Sequence, residues 1–266
     1  VQMVLTLVEP QSSGIGGGAL LLRFDAGTGR MTAWDGRESA PAAATPELFL
    51  RDGRPMPFME AVVGGRAVGV PGTVAMLEAA HREAGRLPWP RLIAPAIRLA
   101  EEGFPISERL ARDIAADSTR LRRDPMAAAY FFTDQGAPLP AGHRLRNPAL
   151  AETLRAIAEQ GARALAEGPI AEAILAAVTR HPTNPGVMAA TDLSTYAPQR
   201  REAVCTPYRR FRVCGFPPPS SGGIAVAQIL GLLAHTNMPR LDPRGAEAAH
   251  LLGEAGRLAF ADRNAY

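Results

Sequence analysis

Apolar residues change period several times along the chain, and each change predicts a different element. The opening run VQMVLTLV is short, with no basic residues before it, and reads as the tail of a helix rather than a signal peptide. Ala19 to Asp25 and Arg30 to Asp35 read as two strands. The turn residues Ala26-Gly27-Thr28-Gly29 join them into a hairpin. A Pro- and Ala-rich connection follows from Ala40 to Pro57, where Gly53 and the prolines oppose any helix. After Gly69-Val70-Pro71-Gly72-Thr73 the pattern becomes helical, from about Val74 to Ala84, with Gly85 as the stop.

The middle of the chain, about 74–181, is predicted to be mostly helical. Pro90 suits a first helical turn, and Ile93, Ile97, Leu99 and Ala100 follow at helical spacing up to Gly103. Pro95 inside that segment should kink or shorten it. Ser107 is placed to cap a helix running to about Arg123, and Asn147-Pro148 to start one ending near Gly161. Gly168-Pro169 opens another, through about Thr179. A second hairpin spans Glu202 to Cys214, with its turn near Pro207 to Arg210. Pro217-Pro218-Pro219-Ser220-Ser221-Gly222-Gly223 then leads stiffly into a helix from about Ile224 to Ala234. Asp242-Pro243 starts a last helix, carrying Leu251, Leu252, Leu258 and Phe260 toward Tyr266. No internal repeat argues for a solenoid.

Composition narrows the function classes. An apolar share of 47% with 21% charged residues over 266 positions is that of a globular protein able to bury a full core. No apolar run is long enough to span a membrane. The pI of about 9.3 suggests nucleic acid, but the net charge is only +3. All 29 basic residues are Arg, which stay charged at any ordinary pH and so push the pI up. Arg120 to Arg123 and Arg200-Arg201 cluster, but a solvated surface is the expectation and nucleic acid is not. Without Lys, the chain excludes Schiff-base, Walker-A and kinase lysines within itself. Cys205 and Cys214 flank the second hairpin, which allows them to face each other. The expectation is nevertheless two buried free thiols, leaving the redox compartment open.

Several motifs fail on their context. Gly14, Gly16 and Ala19 fit a loose dinucleotide fingerprint, but a strand follows where a helix is required. Ser12-Ser13 fits no serine-hydrolase pattern. The five histidines show no ligand spacing, so no metal is expected. Ser220 to Gly223 could present N–H groups to an anion at a helix N-terminus or serve as a cap with close packing, and both readings stand. Arg37, in Asp35-Gly36-Arg37-Glu38-Ser39-Ala40-Pro41, is the strongest single candidate. A guanidinium grips a carboxylate through two parallel charge-assisted bonds, each contributing about 1.5–3 kcal/mol. Its bland alternative is a surface ion pair with Glu38 or Asp35, contributing less than about 1 kcal/mol.

The run Pro10 to Gly18 followed by Asp35 to Pro41 resembles the large-subunit signature of the γ-glutamyltransferase (γ-glutamyltranspeptidase) family. The resemblance extends through Val63 to Gly72, Pro95 to Ile97, Glu102 to Phe104, Asp192-Leu193-Ser194-Thr195-Tyr196, Pro217 to Gly223 and Arg257 to Arg263. It implies an α+β fold, the αββα sandwich of N-terminal-nucleophile hydrolases, of which this chain supplies only a large-subunit part. Residues 1–266 would form a single incomplete domain. In this family a precursor cleaves itself, and the new N-terminal Thr of the small subunit takes the γ-glutamyl group of glutathione, its own amine acting as base. Water or an amino acid then accepts that group.

The family's arginine for the donor α-carboxylate lies in an R-E-x-A-P motif and maps onto Arg37, the one substrate-binding residue carried over. No catalytic residue is expected here, because no Thr lies in a cleavage-site sequence, and no cofactor is implied. The expected partners are a γ-glutamyl compound such as glutathione and a small subunit carrying the Thr. The family also implies a periplasmic or secreted location. The chain is expected to be a fragment, inactive by itself. The alternatives are a cephalosporin (glutaryl) acylase of the same fold and a noncatalytic structural or binding fragment that needs a partner chain.

Overall fold

The computed structural model describes residues 1–265, and Tyr266 lies outside them. Backbone contacts divide the chain into two compact units, Val1–Gly18 with Arg37–Ala197, and Ala19–Gly36 with Pro198–Tyr266.

The first unit is helical: α1 (Gln2–Val8), α2 (Thr73–Ala84), α3 (Trp89–Glu102), α4 (Glu108–Ala116), α5 (Pro148–Gln160) and α6 (Gly168–Thr179). Its main core joins Met3 and Leu7 of α1 to Ile93, Ala96 and Ala100 of α3 and to Ala151, Leu154 and Ile157 of α5. The sequence-read caps are present: Ser107 Oγ accepts from Leu110 N–H at 3.1 Å, and Asn147 Oδ1 from Leu150 N–H at 3.0 Å. Pro95 does not shorten α3. A proline inside a helix costs about 3 kcal/mol, and the fully buried face of α3 outweighs that cost.

Two helix limits differ from expectation. The Ser107 helix ends at Ala116, and a separate turn, Ser118–Leu121, follows. Asp117 lies between the two segments and pairs with Arg120. An unpredicted helix, Pro125–Phe131, starts with Asp124 Oδ1 accepting from Ala127 N–H at 2.8 Å.

The second unit holds a three-stranded sheet of β1 (Ala19–Asp25), β2 (Arg30–Gly36) and β3 (Gln199–Arg201), all antiparallel, with β2 central. Asp25 closes the β1–β2 turn, accepting from Thr28 N–H at 2.9 Å. That bond, with one from the Thr28 hydroxyl, holds its carboxyl below the usual value. The strand β3 was not expected, since Gln-Arg-Arg shows no apolar alternation. It is anchored where Arg201 Nε meets the buried Asp35 carboxylate at 2.7 Å.

The hairpin β4 (Val204–Tyr208) and β5 (Phe211–Gly215) precedes two helices packed on each other, α7 (Gly222–Ala234) and α8 (Ala246–Ala265). The last helix starts later than Asp242-Pro243 suggests. Asp242 instead makes a turn, its carbonyl accepting from Gly245 N–H at 2.9 Å and its carboxylate from Arg244 N–H at 3.0 Å.

The hairpin corrects the expectation of free thiols. Register places Cys205 directly opposite Cys214, and the two form a disulfide. Which residues face each other depends on the turn, Arg209-Arg210, and Arg209 adopts a left-handed φ of 54°. In the chain-entropy account a bridge closing so short a loop contributes about 2–3 kcal/mol. The Cys205→Ala/Cys214→Ala variant of the full-length protein is therefore expected to unfold at lower urea. Detection of two free thiols in the untreated protein would contradict the bridge.

Candidate functional site

The glycine-rich run and the Arg37 segment meet in the first unit. The Gly17 carbonyl accepts from Gly72 N–H and Thr73 N–H, each at 3.0 Å, and from the buried Thr73 hydroxyl at 2.9 Å. One peptide oxygen thus seats the run on the N-terminus of α2, where the helix leaves N–H donors open. A Cβ on Gly18 would overlap the Glu38 carboxylate and reach 2.8 Å from Glu38 N, so only glycine lets the run lie against Glu38. Val70 N–H then donates to the Ser39 carbonyl at 2.9 Å, tying the Val63 to Gly72 motif to the same segment.

Arg37 lines a cavity of about 280 Å³. Its walls come from Glu38 to Pro41, from Leu48 and Phe49, and from Arg66 to Gly69. The guanidinium Nη1 lies 3.1 Å from Glu38 Oε2, and the Arg37 side chain is 56% exposed. Buried Glu38 Oε2 accepts no hydrogen bond, so it is an ionic counterweight rather than a directed partner. The Arg37–Glu38 ion pair therefore exists, beside the cavity that both residues line. Exposure of that kind leaves a guanidinium able to receive a second carboxylate.

The Asp192 to Tyr196 block, to which sequence reasoning gave no role, clamps the Arg37 segment from the other side. Tyr196 Oη donates to the Arg37 carbonyl at 2.7 Å. Asp192 uses both oxygens: Oδ1 accepts from Ala42 N–H at 2.9 Å and Oδ2 from Ala189 N–H at 2.8 Å. The segment carrying Arg37 is thus held at its carbonyl, at Ser39 and at Ala42.

A model of the gamma-glutamyltranspeptidase family matches residues 1–266, the whole chain. The chain belongs to the gamma-glutamyltranspeptidase family. It is 39% identical over its full length to a glutathione hydrolase proenzyme of Bacillus subtilis (strain 168), covering 45% of that protein. It is 36% identical to the acylase ACY 1 proenzyme of Pseudomonas sp. (strain V22), with 97% of this chain and 47% of that protein aligned. The crystal structure of Helicobacter pylori gamma-glutamyltranspeptidase superposes with a TM-score of 0.94 at 33% identity, covering 100% of this chain and 75% of that one. The chain therefore spans about half the length of the curated relatives it matches. Its fold is the α+β, N-terminal-nucleophile hydrolase fold of the gamma-glutamyltranspeptidase family, of which it supplies a large-subunit segment.

Another gamma-glutamyltranspeptidase-like block, Pro217 to Gly223, lies in the second unit. The structure favours close packing there, because a Cβ on Gly223 would overlap the Phe216 carbonyl oxygen. Ser221 Oγ accepts from Arg263 Nε at 2.8 Å and makes no cap bond to α7. Among the described residues no group of His, Cys, Asp and Glu could hold a metal ion, and no helix is long and apolar enough to cross a membrane.

Proposed function

We propose that this chain supplies the donor-binding part of a γ-glutamyltransferase or glutathione hydrolase. The observation that carries this reading is the half-exposed Arg37, paired with Glu38 and lining a cavity walled by the family's own motifs. The donor α-carboxylate would bind the half-exposed Arg37 guanidinium as a bidentate pair, leaving the γ-carbonyl to extend toward the nucleophile. That nucleophile is proposed to be the N-terminal Thr of a small subunit formed by self-cleavage of a proenzyme. Its α-amine would remove the hydroxyl proton as the oxygen attacks the γ-carbonyl, then pass that proton to the amine that departs when the amide C–N bond breaks. The resulting acyl-enzyme would release its glutamyl group to water or an amino acid.

A partner chain is supported by the second unit's exposed apolar side chains. Leu20, Leu22 and Phe24 line one face of β1, and Leu252, Leu258 and Phe260 of α8 are each more than half exposed. Apolar surface of this kind marks a contact still to be made. The disulfide supports a periplasmic or secreted location, since such bridges persist in oxidising compartments.

A glutaryl acylase is the second reading, favoured by the similarity to acylase ACY 1. The two readings share a carboxylate for Arg37 and differ in the α-amino group. Assay of the full-length, self-processed protein on γ-glutamyl-p-nitroanilide and glutaryl-p-nitroanilide separates them. Turnover of the γ-glutamyl compound is expected, and turnover of the glutaryl compound alone would contradict the first reading. The 266-residue chain by itself is expected to turn over neither. Activity from it alone would place the nucleophile inside this sequence and overturn the two-chain mechanism.

A further inference from the structure

The polar group most committed to the walls of the Arg37 cavity is not in the cavity at all. Asn184, only 4% exposed, lies in the turn His181-Pro182-Thr183-Asn184-Pro185-Gly186 that follows α6. Its Nδ2 shares two hydrogens among three backbone carbonyls, those of Glu60 at 3.1 Å, Ala61 at 3.2 Å and Val63 at 2.8 Å. Its Oδ1 accepts from Arg66 Nε at 2.6 Å, and its carbonyl accepts from Arg66 N–H at 3.1 Å. All of these bonds fall on a single stretch, residues 60–66.

That stretch continues directly into the cavity. Arg66 lines it and uses Nη1 to hold the Leu48 carbonyl at 2.6 Å, so one guanidinium braces two of its walls. Val68 N–H returns to the Gly65 carbonyl at 3.1 Å, and Val70 N–H pairs with Ser39, two residues from Arg37. The backbone fit is as close as the hydrogen bonding. Gly64 has a φ of 114°, and a Cβ on it would lie 2.9 Å from Asn184 Cβ and from the His181 ring. The Val63 to Gly72 motif is thus shaped to receive this corner.

We propose that Asn184 is a positioning residue for donor binding. Through the carbonyls of residues 60–63 and through Arg66 it fixes the 48–49 and 66–69 walls, and so the cavity that Arg37 offers a carboxylate. An asparagine suits the task because it donates and accepts from one planar group without placing a charge in the interior. Without that side chain, three carbonyls lose their buried donor and Arg66 Nε loses its acceptor. The walls then relax, and the carboxylate site loses its fixed shape. The inference rests on the proposal that Arg37 binds the donor, and its test keeps the two apart.

The full-length, processed enzyme carrying Asn184→Ala is assayed on γ-glutamyl-p-nitroanilide and on 4-aminobutyryl-p-nitroanilide, which lacks only the α-carboxylate. KM for the first is expected to rise about tenfold while kcat changes less than about twofold. Kinetics on the second are expected to stay unchanged. Equal losses on both donors would indicate a purely structural role and overturn the inference, as would an unchanged KM on the first. Arg37→Ala in the same assay reports on the underlying reading: an unchanged KM there defeats the donor proposal itself. If Asn184→Ala does not mature, Arg66→Met carries the test. The same donor-selective rise in KM is expected from it, and its absence overturns the inference.

Discussion

Replacing Arg37 by Ala in the full-length enzyme is expected to raise KM for a γ-glutamyl donor at least about tenfold, with a smaller change in kcat. Two charge-assisted bonds to one carboxylate contribute about 1.5–3 kcal/mol each. The Arg37 side chain is more than half exposed, so water competes for its donors and part of that gain is lost. If only about 1.4 kcal/mol survives, less than one such bond, the effect is still tenfold. Binding lost equally from ground and transition states appears in KM. Arg37→Lys is expected to recover only part of the loss, because an ammonium cannot make the parallel pair. Steady-state kinetics on γ-glutamyl-p-nitroanilide measure both variants, and unchanged constants would remove Arg37 from the site.

The largest stability effect is expected from Gly65→Ala. A Cβ at Gly65 would overlap the Val178 carbonyl oxygen and reach 2.7 Å from its carbon and 2.9 Å from Gly186 N. None of these is a side-chain tip that can rotate away. Val178 is buried, and its carbonyl already accepts from Gly186 N–H at 2.8 Å, so relief requires moving α6 or the Asn184 turn. Inserting atoms into packed interiors costs about 1–3 kcal/mol, and backbone overlap belongs at or above that upper end. Thermal unfolding of the full-length protein is expected to show a clear drop in Tm. Gly253→Ala, in α8 with open space around it, serves as the control and is expected to be neutral or slightly stabilising. Equal melting of the two variants would contradict the close approach.

The difference between these glycines also shows what could be read from sequence. Helix starts at Ser107 and Asn147 were legible because a cap is a local event, settled within three residues. The Asp124-Pro125 helix carries the same local signal as Asn147-Pro148, a capping side chain followed by Pro at the first helical position. Strand Gln199–Arg201 could not be found that way, since its place depends on Asp35, far away in sequence. The disulfide was illegible for a related reason: facing cysteines require a known register.

Arg37 was legible as a residue through its motif, but its surroundings were not. Gly17 on the α2 N-terminus, Tyr196 on the Arg37 carbonyl and Asn184 on the 60–66 backbone all join segments distant in sequence. Asn184 sits between prolines in a stretch that reads as an ordinary turn. Only its burial separates it from a solvent-exposed one.

The central claim is that Arg37 holds a donor carboxylate. A crystal structure of the full-length, processed enzyme with bound L-glutamate tests it most directly. Both terminal nitrogens of Arg37 are expected at about 2.7–3.0 Å from the two α-carboxylate oxygens, with the γ-carboxyl group turned toward the N-terminal Thr. An α-carboxylate bound elsewhere, with Arg37 still paired with Glu38, would contradict the account.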